Sequence, residues 1–133
     1  MRDLGSSKRT CPLCSMAQTL FEECGFSERE AVQELYRLAD GNLTHILEEG
    51  CINALTGPIE RNDVKTVEMH LDALHGEMRE AYRANALYLV GVAKQKHPER
   101  DYTALKNICA AGEGKGVVLD EEYSTYIAAA KGK

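Results

Sequence analysis

Several stretches of the chain place reactive side chains at spacings that chemistry can use. Cys11-Pro12-Leu13-Cys14 has the spacing of a zinc knuckle or a redox dithiol. A structural zinc site needs four ligands, and neither a second Cys-x-x-Cys nor a His-x-x-x-His occurs, so no metal is expected. The plainer reading is a helix start with Pro12 in its first turn and two half-buried thiols. His70 and His75 stand five apart, and a separation of five does not share a helix face as a separation of four does. Glu68, Asp72 and Glu77 read as the solvated side of the same segment, and no nucleophile or third group accompanies the pair, so His70 reads better as facing a neighbouring domain than as a base. Gly112-Glu113-Gly114-Lys115-Gly116 lacks the Ser or Thr of a phosphate-binding loop and has no strand before it, which makes it a hinge.

The most informative stretch is Ala54-Leu55-Thr56-Gly57-Pro58-Ile59-Glu60-Arg61-Asn62-Asp63. A Gly-Pro turn there holds a hydroxyl, a guanidinium and a carboxylate between two helical patterns. Arg61 can pair bidentately with a carboxylate or phosphate, Thr56 can hydrogen-bond the turn, and Asp63 can cap the helix that follows. A purely structural role for the loop stands beside this one, since capped loops with one Arg are common.

The elements that position these residues are helices. Leu13, Met16, Ala17, Leu20, Phe21 and Cys24 recur at threes and fours over 11–24, and Gly25 ends the pattern. Ser27 and Glu30 form a capping box ahead of Ala31, Val32, Leu35, Leu38 and Ala39, with Gly41 as the expected stop. A third helix is expected from Asn42 as cap through Leu43, Ile46, Leu47, Cys51 and Ala54 to the Gly57-Pro58 turn. Val64, Val67, Leu71 and Leu74 mark a fourth helix, closed by Gly76. The fifth and longest, Glu77 to His97, is apolar over more than half its circumference, as suits a central helix or one shared with a partner. A sixth, from Asp101 to about Ala111, gathers Tyr102, Leu105, Ile108 and Cys109, and a short helix is expected near Glu121 to Ala130. No segment alternates with a period of two, so the expected fold is an all-α, single-domain helical bundle of about six helices. Its expected divisions are an N-terminal segment 1–10, the bundle 11–111, and a glycine-rich hinge with C-terminal helix 112–133.

The net charge of −5, with basic residues alternating with acids, excludes a phosphate-backbone binder and so a nucleic-acid partner. No apolar run spans a bilayer and Met1 to Thr10 has no apolar core, so no membrane association is expected and the cytoplasm is the expected compartment. Five cysteines, an odd number unevenly spaced, read as reduced thiols.

Ala54 to Pro58, Arg61, Asp63 and His70, together with Val64 to Leu71, resemble the helical carboxy-terminal domain (domain of unknown function 2520) of NAD(P) oxidoreductase-like proteins. Those proteins have an N-terminal Rossmann domain and are related to pyrroline-5-carboxylate reductase. The pattern there is Ala-Leu-Thr-Gly-Pro, then Arg-Gly-Asp, then a helix with a His; Asn62 replaces the usual Gly. The resemblance runs from about Leu13 to His97 and includes the Gly25 break, the Gly41-Asn42 junction and Ala81-Tyr82-Arg83, whereas Met1 to Pro12 match poorly. It implies the fold of the C-terminal domain of 6-phosphogluconate-dehydrogenase-like reductases. It also implies a role in dimerisation and in lining a substrate cleft beside a nucleotide domain.

Thr56, Gly57, Pro58, Arg61, Asp63 and His70 would then face the cleft or the domain interface, with Arg61 as an anion or carboxylate anchor. NAD(P) is implied for the two-domain family, but the glycine-rich dinucleotide loop is absent from this chain. No cofactor is therefore expected to bind it alone, and no catalysis is expected of it alone. The expected partner is a second copy or a Rossmann domain. Two further readings are a free-standing helical protein–protein interaction domain and a small zinc or redox module at Cys11 and Cys14.

Overall fold

A computed structural model describes residues 11–111. Five helices follow one another along them: α1 Pro12–Glu23, α2 Glu28–Asn53, α3 Val64–Ala73, α4 Gly76–Lys96 and α5 Thr103–Ala110. No strand occurs among the described residues, so the class is all-α. Met1 to Thr10, the Gly112–Gly116 hinge and the expected helix near Glu121 to Ala130 lie outside the described residues. No described helix is long and apolar enough to cross a membrane.

Local signals set most of the boundaries. Pro12 opens α1, and Gly25 follows its end at φ 96, a conformation that suits a residue without a Cβ. The capping box at α2 is complete. Glu30 N donates to Ser27 Oγ at 3.2 Å and Ser27 N donates to Glu30 Oε2 at 2.8 Å, which holds the Glu30 carboxyl below its ordinary range. Asp63 caps α3 through its carboxylate, and α4 ends at Lys96, two residues before Pro98.

The expected break at Gly41 is absent, and Asn42 is an interior residue of α2 rather than a cap. A lone helical glycine costs about 1 kcal/mol relative to alanine, too little to halt a segment that carries Leu38 and Ala39 before it and Leu43, Leu47 and Glu48 after it. The second and third expected helices are therefore one element of 26 residues, and the described residues hold five helices. The departure from helical geometry comes at Gly50 instead (φ 77, ψ 161), one turn before the end.

The core lies between α3, α4, α5 and the loop after α2. Ile59, Val67, Leu71, Ala86, Val90, Ala93, Tyr102, Leu105 and Cys109 form it. Helix α4 is its axis, as its apolar breadth requires, and its basic residues tie down the C-terminal ends of three other helices. Arg79 donates to Leu71 O of α3, Arg83 Nη1 donates to Cys109 O of α5 at 3.1 Å, and Lys96 Nζ donates to Asn53 O and Leu55 O at the end of α2, at 2.9 and 2.8 Å. Each cation satisfies carbonyls that a helix end leaves without partners and meets the negative end of its dipole.

Helices α1 and α2 pair into a hairpin of different character. Nothing in α1 is buried, and Ala31 is the single buried residue of α2. An uncovered apolar face was expected on the long helix α4. It lies on α2 instead, because α2, α3 and α5 cover α4 and leave Tyr88 as its one large exposed apolar side chain.

Candidate functional site

The loop between α2 and α3 is a chain of tight turns. Arg61 N donates to Gly57 O at 3.1 Å, Asn62 N to Ile59 O at 3.1 Å and Asp63 N to Pro58 O at 2.8 Å. Gly57 enables it at φ 100, and Asn62 stands at φ 58. That left-handed conformation supplies the physical reason for a glycine at the position in the resembled pattern; Asn is among the few side chains that tolerate it. Asn62 also ties the loop across the fold, its Nδ2 donating to Asp101 O at 3.0 Å, while its Oδ1 is buried without a partner among the described residues.

Glu60 is the loop's electrostatic anchor. Its Oε1 lies 2.5 Å from His97 Nε2, 3.5 Å from Arg100 Nη1 and 4.0 Å from Lys96 Nζ. Its backbone carbonyl accepts from Arg100 Nη1 at 2.9 Å and from Tyr102 Oη at 2.8 Å. The hydrogen bond from His97 is the main reason its carboxyl sits below the ordinary range, and the surrounding cations act in the same direction. Of these five residues the sequence pattern singled out Tyr102 alone, and that as part of an apolar helix face. The available signal was a run of cations, Lys94, Lys96, His97 and Arg100, at one helix end, which calls for a carboxylate from elsewhere in the chain.

The residues expected to form a site fall in four places. Thr56, Gly57 and Pro58 make the turn, with Thr56 at the edge of an open, largely apolar groove of about 540 Å³ between the C-terminal half of α2 and α4, lined also by Ile46, Ile52, Tyr88, Leu89 and Val92. The Arg61 side chain is exposed and makes no hydrogen bond or ion pair among the described residues. Asp63 turns inward to the helix start, accepting from Thr66 N at 3.1 Å and from Thr66 Oγ1 at 2.7 Å. Those two bonds hold its carboxyl below the ordinary range, with Arg61 and Lys65 adding to them.

His70 lies on α3 and faces α4. Its Nδ1 is 2.8 Å from Tyr82 Oη, and the two rings meet edge to face at 5.5 Å. Partial burial raises the Tyr82 hydroxyl's pKa. No hydrogen bond or ion pair among the described residues joins His70 to Arg61 or Thr56, so what the loop offers a ligand or partner is the exposed Arg61 guanidinium and, at the edge of the apolar groove, the Thr56 hydroxyl.

All five cysteines are free. Cys11 and Cys14, expected to be half-buried, are both exposed; α1 meets α2 and, through Leu13, Met16, Ala17 and Leu20, the 78–85 part of α4, and its first-turn thiols stay in solvent. Among the described residues no group of three His, Cys, Asp or Glu side chains stands close enough to hold a metal ion.

No curated protein and no solved structure is significantly similar to the chain. The family model described as domain of unknown function (DUF2520) matches residues 6–89, well over half of the 133 residues and the whole of the loop and α3. The chain belongs to that family.

Proposed function

We propose that this member of the DUF2520 family is the helical dimerisation and substrate-cleft domain of an NAD(P)-linked oxidoreductase-like protein, acting beside a dinucleotide-binding domain and not catalysing a reaction alone. The observation that carries the reading is a seam on α2. Val32, Tyr36, Ala39, Leu43 and Leu47 follow one another at four, three, four and four residues, the spacing that lines up one face of a helix. Their large members are 47, 69, 65 and 86% exposed, and Tyr88 of α4 adds 76%. A contiguous apolar stripe of this length on a charged domain marks an interface.

A second copy is the occupant that fits, because a two-fold seam is self-complementary and each apolar residue on it is buried twice per dimer. Arg61, whose guanidinium has no partner among the described residues, is assigned the role of carboxylate or anion anchor at the cleft.

The test is sedimentation equilibrium of the chain and of its Leu43→Asp/Leu47→Asp variant. Burying one leucine is worth about 1.5–3 kcal/mol. Two leucines from each of two copies should therefore move the dimer constant by well over a hundredfold, with helical content unchanged. A variant that associates as the parent does would overturn the seam, and tight NAD(P)H binding by this chain alone would overturn the division of labour.

A further inference from the structure

Cys11 and Cys14 take no part in the core, the loop or the seam. Cys11 holds the N-cap position of α1. Its backbone is extended (φ −69, ψ 115) and its carbonyl accepts the first helical hydrogen bond, from Ser15 N at 3.0 Å. Pro12 is the first helical residue and sets the turn, which makes Cys14 the third. An N-cap side chain reaches toward the N–H groups of the second and third residues, here Leu13 and Cys14.

Those N–H groups act on the Cys11 sulfur as dipoles rather than as a capping hydrogen bond. With the Cys14 thiol beside it they draw the Cys11 pKa below its ordinary 9.0, Cys14 N–H contributing most, while the nearness of Cys11 pushes the Cys14 thiol up. Both thiols are exposed. The pair therefore divides into a nucleophile and a proton-holding neighbour, on a first turn where both sulfurs are exposed.

We propose that Cys11 and Cys14 form a redox-active dithiol that exchanges with disulfides, Cys11 attacking and Cys14 resolving. The Cys11 thiolate attacks one sulfur of a small-molecule or protein disulfide, forming a mixed disulfide and releasing one thiolate. Cys14 then gives up its proton to solvent and attacks the Cys11 sulfur, releasing the second thiolate. The chain's two thiols are oxidised to an internal disulfide, and the incoming disulfide is reduced to two thiols. The extended N-cap backbone turns the Cys11 side chain back toward the third helical residue, Cys14, the approach that a disulfide, with its Cβ atoms about 3.5–4.5 Å apart, requires. Among the described residues, chelation by the same pair lacks its further ligands, since a structural zinc takes four.

The experiment incubates the full chain, and its Cys11→Ser and Cys14→Ser variants, with oxidised glutathione. The reaction is quenched with a maleimide, and each cysteine is mapped by mass spectrometry. Cys24 and Cys51, also exposed, serve as internal references. The parent should lose two hydrogens across Cys11 and Cys14 without retaining glutathione there. Cys14→Ser should keep one glutathionyl group on Cys11, formed at least about fivefold faster than on Cys24 or Cys51, because an ordinary thiol is only a few per cent ionised at neutral pH. Cys11→Ser should leave Cys14 slow. Equal rates at Cys11, Cys24 and Cys51 would overturn the proposal, as would a stable mixed disulfide on Cys11 of the parent that never closes onto Cys14.

Discussion

Replacing Arg83 with Met tests whether α4 holds the bundle by capping its neighbours. The Arg83 side chain is 11% exposed and its guanidinium makes two kinds of contact. Nη1 donates to Cys109 O, a carbonyl at the end of α5, at 3.1 Å, and Nε and Nη2 each stand 3.0 Å from Glu80 Oε2. Methionine keeps most of the volume and removes both. Leaving a buried acceptor without a partner costs about 1–3 kcal/mol. The Glu80 pair, one turn away on the same helix and 47% exposed on the carboxylate side, contributes at most about 0.5 kcal/mol in water.

Arg83→Met should therefore destabilise by about 1.5–3.5 kcal/mol. That corresponds to a fall of about 6–14 °C in Tm at roughly 4 °C per kcal/mol. Glu80→Gln breaks the pair and spares the carbonyl, and should shift Tm by no more than about 2 °C. Both are read by circular-dichroism melts at one matched protein concentration, since association would otherwise enter the comparison. Equal losses in the two variants would refute the capping argument and assign the stability to the ion pair.

Glu60→Gln should cost about 1 kcal/mol at neutral pH, a figure set for a partly solvated pair. Glu60 titrates below its ordinary 4.5 in the folded chain, so its contribution is complete above that value and is lost as the pH falls through the lowered folded one. The stability gap between parent and Glu60→Gln, followed in urea titrations, should close in acid; a gap that widens below pH 4.5 contradicts the sign. At Asn62, with φ 58, alanine should cost about 1.5–3 kcal/mol through the left-handed backbone and the lost bond to Asp101 O, whereas glycine should lose the bond alone and stay within about 1.5 kcal/mol. Denaturant midpoints that fall equally for the two would remove the backbone from the explanation. Arg61→Ala, which removes a side chain with no described partner, should leave the melt within about 0.5 kcal/mol of the parent.

What the sequence discloses depends on how far apart the interacting groups are. Ser27 with Glu30, Asp63 with Thr66, and Pro98 beyond the end of α4 act within a turn, and each is where its local pattern puts it. The width of the apolar surface on α4 likewise predicts a central helix, because every side of it must meet a neighbour.

Gly41 misleads for a physical reason. A glycine permits a helix end without imposing one, and the positive φ that would mark a stop appears nine residues later, at Gly50. The Glu60 cluster is hidden because its members are 36 to 42 residues apart and meet only when the loop folds back onto the end of α4. Helical periodicity alone does not separate the covered stripe of α2 from the uncovered one beside it. Nor does it show that the first turn of α1 stands in solvent, which is what distinguishes an exposed thiol pair at Cys11 and Cys14 from a packed one.

The central claim is that the apolar seam of α2 is covered by a second copy of the chain. Its most direct test is the molar mass in solution, by light scattering across a concentration range spanning the micromolar. Twice the chain mass, held down to low micromolar concentration, is the expected result. The mass of a single chain at every concentration, from a fully helical and well-behaved sample, would contradict it.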